Sequence, residues 1–272
     1  MSAPLLELNA LTTWYPIRSG LWSRTTGYVE ALTDMNLTVH EGETVGIVGE
    51  SGCGKTTLGR TIVGLEKPRA GTMSFHSKPL PGGIRPAAIQ RQIQMIFQDP
   101  AAALNPRLSI LDLLTEALVY HRLLNEPREQ AAARLLSDVG LDADALHRYP
   151  FEFSGGQRQR INVARALALK PSLIICDEAV SALDVSVQAQ VLNLLMDLKE
   201  KYNLSYLFIT HDINVVRFIA DRIVVMHQGR VVEEGPTESV ITTPAHPYTR
   251  TLIAAVPTLG ASPATPPAGG MA

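Results

Sequence analysis

Apolar positions along the chain fall into two textures. Thr44 to Val48, Leu173 to Cys176 and Ser205 to Ile209 are short and almost wholly apolar, the pattern of strands covered on both faces. Lys55 to Leu65 and Ser186 to Lys201 are longer and read as helices. Their alternation predicts an α/β fold built on a mainly parallel sheet. Leu5 to Leu8 and Leu37 to His40 read as early strands of an antiparallel β element, with a turn at Glu41-Gly42-Glu43. Thr72 to His76 and Ile93 to Phe97 are further strands. A small β element at Ile223 to Met226 and Arg230 to Glu233 closes the pattern.

The texture changes between residues 99 and 168. Leu108 to Leu124 and Arg128 to Val139 carry helical periodicity, Gly140 stands where a helix would end, and no strand pattern intervenes. This stretch reads as a helical insertion. The last 16 residues, Pro257 to Ala272, hold four Pro, three Gly and no charge, which predicts a flexible tail. The expected organisation is one domain over residues 5–256, with a helical subdomain at about 99–168 and the tail at 257–272.

Composition narrows the reading. At 46% apolar, 272 residues can build a full core. Lys+Arg 24 against Asp+Glu 26 argues against bulk electrostatic binding of nucleic acid. Two cysteines, Cys53 and Cys176, exclude a disulfide-dense scaffold. No apolar run approaches the roughly 18 residues of a membrane span. The first positive charge is Arg18, so the start lacks the basic region of a signal peptide. The expectation is a cytosolic, reduced, soluble chain that reaches a membrane only through partners.

The strand at Thr44 to Val48 runs into Gly49-Glu50-Ser51-Gly52-Cys53-Gly54-Lys55-Thr56, which fits G-x-x-x-x-G-K-[ST]. Glycines let such a loop turn its N–H groups onto phosphate oxygens, and the following helix adds its positive end. Gly49, Ser51, Gly52, Gly54, Lys55, Thr56 and Thr57 form the candidate nucleotide cradle. Lys55 supplies a point charge and Thr56 a hydroxyl for Mg²⁺. Cys53 fills a variable loop position; a reactive-thiol role would show as slowed turnover with thiol reagents and protection by nucleotide.

The strand at Leu173 to Cys176 delivers Asp177 and Glu178 at its C-terminal end, where open parallel sheets bind ligands. Asp177 is placed to hold Mg²⁺ through water, and Glu178 to orient or deprotonate an attacking water.

Four further segments resemble the ABC (ATP-binding cassette) ATPases. Phe153-Ser154-Gly155-Gly156-Gln157 resembles their signature motif, and Gln98 their Q-loop glutamine. Ser181-Ala182-Leu183-Asp184 resembles the D-loop, and His211 the switch histidine. The resemblance spans about residues 5–256 and implies a P-loop NTPase core with ATP and Mg²⁺. It implies Gln98 at the metal or the water, and His211 at the γ-phosphate. It also implies that Ser154, Gly155, Gly156, Gln157 and Asp184 face the nucleotide of a second cassette chain. An aromatic residue is expected on adenine; Trp14, Tyr15 and Tyr28 qualify, and Tyr15 is preferred from its place upstream of the Leu37 strand.

Phe97 to Pro100 with Leu104 to Arg107, Tyr149 to Phe153, Ser181 to Gln190 and His246 to Thr249 resemble dipeptide and oligopeptide importers. Thr57-Leu58-Gly59-Arg60 leans toward the F-type of their two paralogous ATPases. That branch implies a second cassette chain, a paralogue by the F-type resemblance or otherwise a second copy of this chain, with two membrane permease subunits, an extracytoplasmic solute-binding protein and a peripheral place on the cytoplasmic face of the membrane. Ala179 departs from the Pro that is commoner after the catalytic Glu. No cysteine follows Cys176, so the iron–sulfur cluster of some relatives is not expected.

Overall fold

A computed structural model of the chain describes residues 4–19 and 24–255. The N-terminal part is a long hairpin, β1 (Pro4–Ser19) and β2 (Arg24–His40). β3 (Thr44–Val48), α1 (Lys55–Val63), β4 (Ala70–Phe75) and β5 (Lys78–Pro79) follow. Then come α2 (Ala87–Gln92) and β6 (Ile93–Ile96). From there to β7 (Leu173–Asp177) every described element is helical. These are α3 (Pro100–Ala103), α4 (Ile110–Tyr120), α5 (Arg128–Asp138), two short 3₁₀ turns and α6 (Gly155–Leu167). The chain continues through α7 (Val185–Tyr202), β8 (Ser205–Ile209), α8 (Ile213–Ile219), β9 (Arg222–His227) and β10 (Arg230–Pro236). It closes with α9 (Thr237–Thr242) and α10 (Pro247–Ala254).

Two sheets result. One is antiparallel, in the order β2-β1-β4-β5. The other runs β10-β9-β3-β8-β7-β6, parallel throughout except where β10 returns along β9. The central strands explain their own apolar runs. On β7, Leu173 and Ile175 enter one core and Ile174 and Cys176 another; on β8, Leu207 and Ile209 part from Tyr206 and Phe208 in the same way. Side chains alternate across a strand, so a strand covered on both faces must be apolar at every position. One core joins the sheet to α1 and the antiparallel sheet; the other joins it to α7 and the helical stretch.

The α/β class with a mainly parallel sheet and an N-terminal antiparallel element is as the sequence predicts. Several boundaries differ. The two early strands are far longer than four residues, because β1 and β2 pair with each other along almost their whole length. Register shifts and exposed polar positions hide that pairing from a period-two reading. α1 stops at Val63 rather than Leu65: Gly64 turns left-handed at φ 88° and gives its N–H to the carbonyls of Arg60 and Thr61. α4 is shorter than Leu108 to Leu124, starting after Ser109, whose hydroxyl accepts from the Asp112 N–H. The short helices α2, α8, α9 and α10 were not expected, since six to eight residues carry little periodicity. The expected tail at 257–272 lies outside the described residues. Among the described residues no helix is long and apolar enough to cross a membrane.

Candidate functional site

Strands β6, β7, β8 and β3 are adjacent and parallel, so their C-terminal ends share one edge of the sheet. Gln98 follows β6, Asp177 ends β7 with Glu178 next, His211 follows β8, and the Gly49–Lys55 loop follows β3. Residues from four distant parts of the chain therefore meet at one place.

The loop owes its shape to two glycines. Gly49 has φ 155°, and a Cβ there would press into the carbonyl oxygen of Met226. Gly54, at φ 106°, caps α1, and a Cβ there would meet the carbonyl of Ala31. Any other residue would be strained and would have no room. Inside the loop Lys55 is almost fully buried. Its ammonium donates to the carbonyls of Gly49 (2.7 Å) and Glu50 (2.8 Å). Cys53 is buried too, and burial pushes its thiol above the ordinary range although Lys55 pulls the other way. That disfavours the reactive thiolate and favours a packing role.

Thr56 Oγ1 donates to Asp177 Oδ1 at 3.0 Å. Burial raises the pKa of Asp177, and the Thr56 hydrogen bond only partly opposes it. A hydroxyl and a buried carboxylate side by side are hard oxygen donors. They fit a Mg²⁺ ion that completes its shell with substrate phosphates and water.

Glu178 is the centre of the second half of the site. Its Oε2 accepts from Gln98 Nε2 at 2.8 Å, and its Oε1 lies 3.3 Å from His211 Nδ1. The Glu178 side chain is 16% exposed and that of His211 56%. The Glu178 backbone is left-handed (φ 48°), its N–H donates to Ile209 O of β8, and its carbonyl accepts from Ser181. The turn separates the two acids: Asp177 faces Thr56 while Glu178 faces Gln98 and His211.

A cleft of about 390 Å³ opens between these groups. Ser51, Gly52 and Gly54 line it from the loop, Lys55, Thr56 and Thr57 from the start of α1, Gln98 and Glu178 from the strand ends, and Tyr15 from β1. The Tyr15 hydroxyl reaches Thr57 Oγ1 at 3.5 Å. Trp14 and Tyr28 instead flank the Arg69 guanidinium, 4.5 and 4.7 Å from their ring centres. Alternation along β1 thus separates Tyr15 from Trp14, while Tyr28 lies on β2. Val29, Glu30 and Ala31 of β2 also line the cleft and were not singled out in the sequence, where nothing marks them.

Ser154, Gly155, Gly156, Gln157 and Asp184 are not among the residues lining the cleft. Ser154 caps α6: its hydroxyl accepts from the Gln157 N–H, and Gln157 Oε1 accepts from the Ser154 N–H. Gly155 and Asp184 are exposed, and Gly156 packs where a Cβ would strike Val187.

Comparison with known proteins agrees with this geometry. The family profile described as ABC transporter matches residues 32–181, and that of the oligopeptide/dipeptide transporter C-terminal region matches residues 232–269. The oligopeptide transport ATP-binding protein AppF of Bacillus subtilis is 47% identical over 257 residues, covering 93% of this chain and 78% of that protein. The glutathione import ATP-binding protein GsiA of Pectobacterium atrosepticum is also 47% identical, but the chain spans only 41% of its length. Among solved structures, the dimeric post-hydrolysis state of the ATP-binding cassette MJ0796 bound to ADP and Pi is similar with a TM-score of 0.74 and 30% identity. That likeness covers 85% of this chain and 98% of that one. With a profile matched over more than half its length and a relative matched along most of both chains, the chain belongs to the ABC transporter family and is one of its ATPases.

Proposed function

We propose that this chain is the ATP-hydrolysing subunit of an importer for peptides or a related small solute. It works at the cytoplasmic face of a membrane with two permease subunits, an extracytoplasmic solute-binding protein and a second cassette chain of paralogous type. The match to the oligopeptide/dipeptide C-terminal region and the names of its relatives support the solute class. Residues 5–256 form the cassette, with 99–168 as its helical subdomain.

The observation that carries the reaction is the convergence of Gln98 and His211 on the Glu178 carboxylate, beside the Thr56–Asp177 pair. The loop amides and Lys55 bind the phosphates; Lys55 leaves the Gly49 and Glu50 carbonyls to do so. Thr56 and Asp177, with Gln98, hold Mg²⁺, which when bound neutralises charge on the β- and γ-phosphates. Tyr15 stacks on the adenine. Glu178 accepts a proton from the attacking water, while Gln98 and His211 fix the carboxylate and the water in line with the γ-phosphorus. Ser154, Gly155, Gly156, Gln157 and Asp184 act on the nucleotide of the partner chain, which fits their place outside this chain's own cleft.

Glu178→Gln keeps both hydrogen-bond positions but loses the base. ATP binding measured by titration should persist while phosphate release falls to near background. Retained turnover would sink the assignment of Glu178 as the base.

A further inference from the structure

The phosphate loop is held from outside by the C-terminal part of the chain. The Glu50 N–H donates to the hydroxyl of Tyr248, on α10, at 3.1 Å. The Cys53 carbonyl accepts from the N–H of Gly229, in the β9–β10 turn, at 3.0 Å. The Glu50 contact bears on the loop's central peptide. The Glu50 N–H and the Gly49 carbonyl belong to one peptide group, and that carbonyl accepts from Lys55. Tyr248 grips one edge of this peptide and Lys55 the other.

Tyr248 is itself fixed. Its ring packs on His227 with centroids 4.0 Å apart. The start of α10 is tied to β10, where the Glu233 carboxylate accepts from the N–H groups of Ala245 (2.7 Å) and His246 (3.0 Å). His246 Nδ1 then accepts from the Tyr248 N–H. An unbroken run of contacts leads from β10 through α10 to the loop.

We propose that Tyr248 is a positioning residue for nucleotide binding, holding the Gly49–Glu50 peptide so that the phosphate loop stays open when Lys55 leaves its carbonyl for the phosphates. This gives the C-terminal segment a role inside the ATP site, in addition to covering the sheet. When Lys55 turns to the nucleotide, the peptide loses one of its two grips. A loop that then reorders has to be reorganised at the expense of affinity, while a loop still anchored by Tyr248 is already in the bound shape. The proposal rests on the phosphate-loop reading of residues 49–56.

Tyr248→Phe deletes the hydroxyl and keeps the ring on His227. In the full chain, titration with ATP in the presence of Mg²⁺ should show affinity weakened about 3- to 10-fold, the size of one lost hydrogen bond. KM for ATP should rise by a similar factor with kcat within about twofold, the split of a residue that acts on binding. The melting temperature should stay unchanged. Exchange of the Glu50 amide hydrogen should be faster in the variant. Wild-type affinity together with wild-type Glu50 exchange would overturn the proposal, as would a fall confined to kcat. Lys55→Ala, measured alongside, separates the two ideas. If it binds ATP normally, the phosphate-loop reading itself fails; if it binds weakly while Tyr248→Phe is normal, only the anchor fails.

Discussion

At Glu178 a non-glycine residue is held in a left-handed conformation, φ 48°, between a buried strand and the turn that follows it. Such backbone persists when surrounding contacts over-determine it, here the hydrogen bonds to Ile209 and Ser181. The conformation turns the carboxylate away from its neighbour Asp177 and toward Gln98 and His211. If Glu178 is the general base, Glu178→Gln should lower ATP hydrolysis by about 10²- to 10⁴-fold, read as phosphate release. Gly54→Ala should be costly for a different reason. Its φ of 106° and the Ala31 carbonyl beside it leave no place for a methyl group. A loss of about 1–3 kcal/mol in denaturant-induced unfolding is expected, with weakened nucleotide binding. At this scale the candidate site is highly legible, because phosphate and metal chemistry demand particular residue types at particular spacings. Tyr248 is the exception: it lies within a recognisable His-Pro-Tyr-Thr word, yet nothing local says that its hydroxyl reaches a loop nearly two hundred residues away.

Elements were legible in proportion to how completely they are buried. β3 and β8 match their sequence-read limits because every residue in them is buried, leaving one way to read the run. The sequence shows the β1–β2 hairpin only at its buried roots, since farther out the register is irregular and apolar residues such as Ile17, Tyr28 and Val29 stand exposed, so no period-two pattern survives. α10 was missed as a helix, being short, and its stability comes from its docking. That docking has a pH signature. Partial burial raises the Glu233 pKa, but the Thr249 side chain beside it and the N–H groups of Ala245 and His246 together more than offset this and leave it below the ordinary carboxylate range. A lowered carboxylate contributes stability above its unfolded pKa, and that contribution is lost as pH falls through the folded value. Glu233→Gln should therefore be less stable than the wild type by about 0.5–1 kcal/mol at neutral pH, after allowing for solvent screening. The difference should vanish in acid, as denaturant titrations at several pH values would reveal.

For the whole molecule, the cleft is lined by the phosphate loop, by Thr56, which bonds Asp177 behind it, and by the candidate base, but not by the Ser154–Gln157 segment. If that segment serves a second chain, a bulky replacement such as Ser154→Arg should leave ATP binding to this chain intact. It should also abolish hydrolysis in the assembled pair, and stoichiometric binding with a lost rate would be the readout. Loss of binding in the isolated chain would contradict the sandwich of two cassettes. The motifs, the α/β alternation and the helical character of residues 99–168 were readable in one dimension, because each is set by local chemistry or by which faces a segment must bury. The convergence of Gln98 and His211 on Glu178 and the grip of Tyr248 on Glu50 were not, and the preference for Tyr15 rested on a resemblance until the fold set it, and not Trp14, at the cleft. They depend on strand order and on which face of a strand a side chain takes. Both are settled by the packing of segments far apart in the chain, and no local pattern encodes that packing.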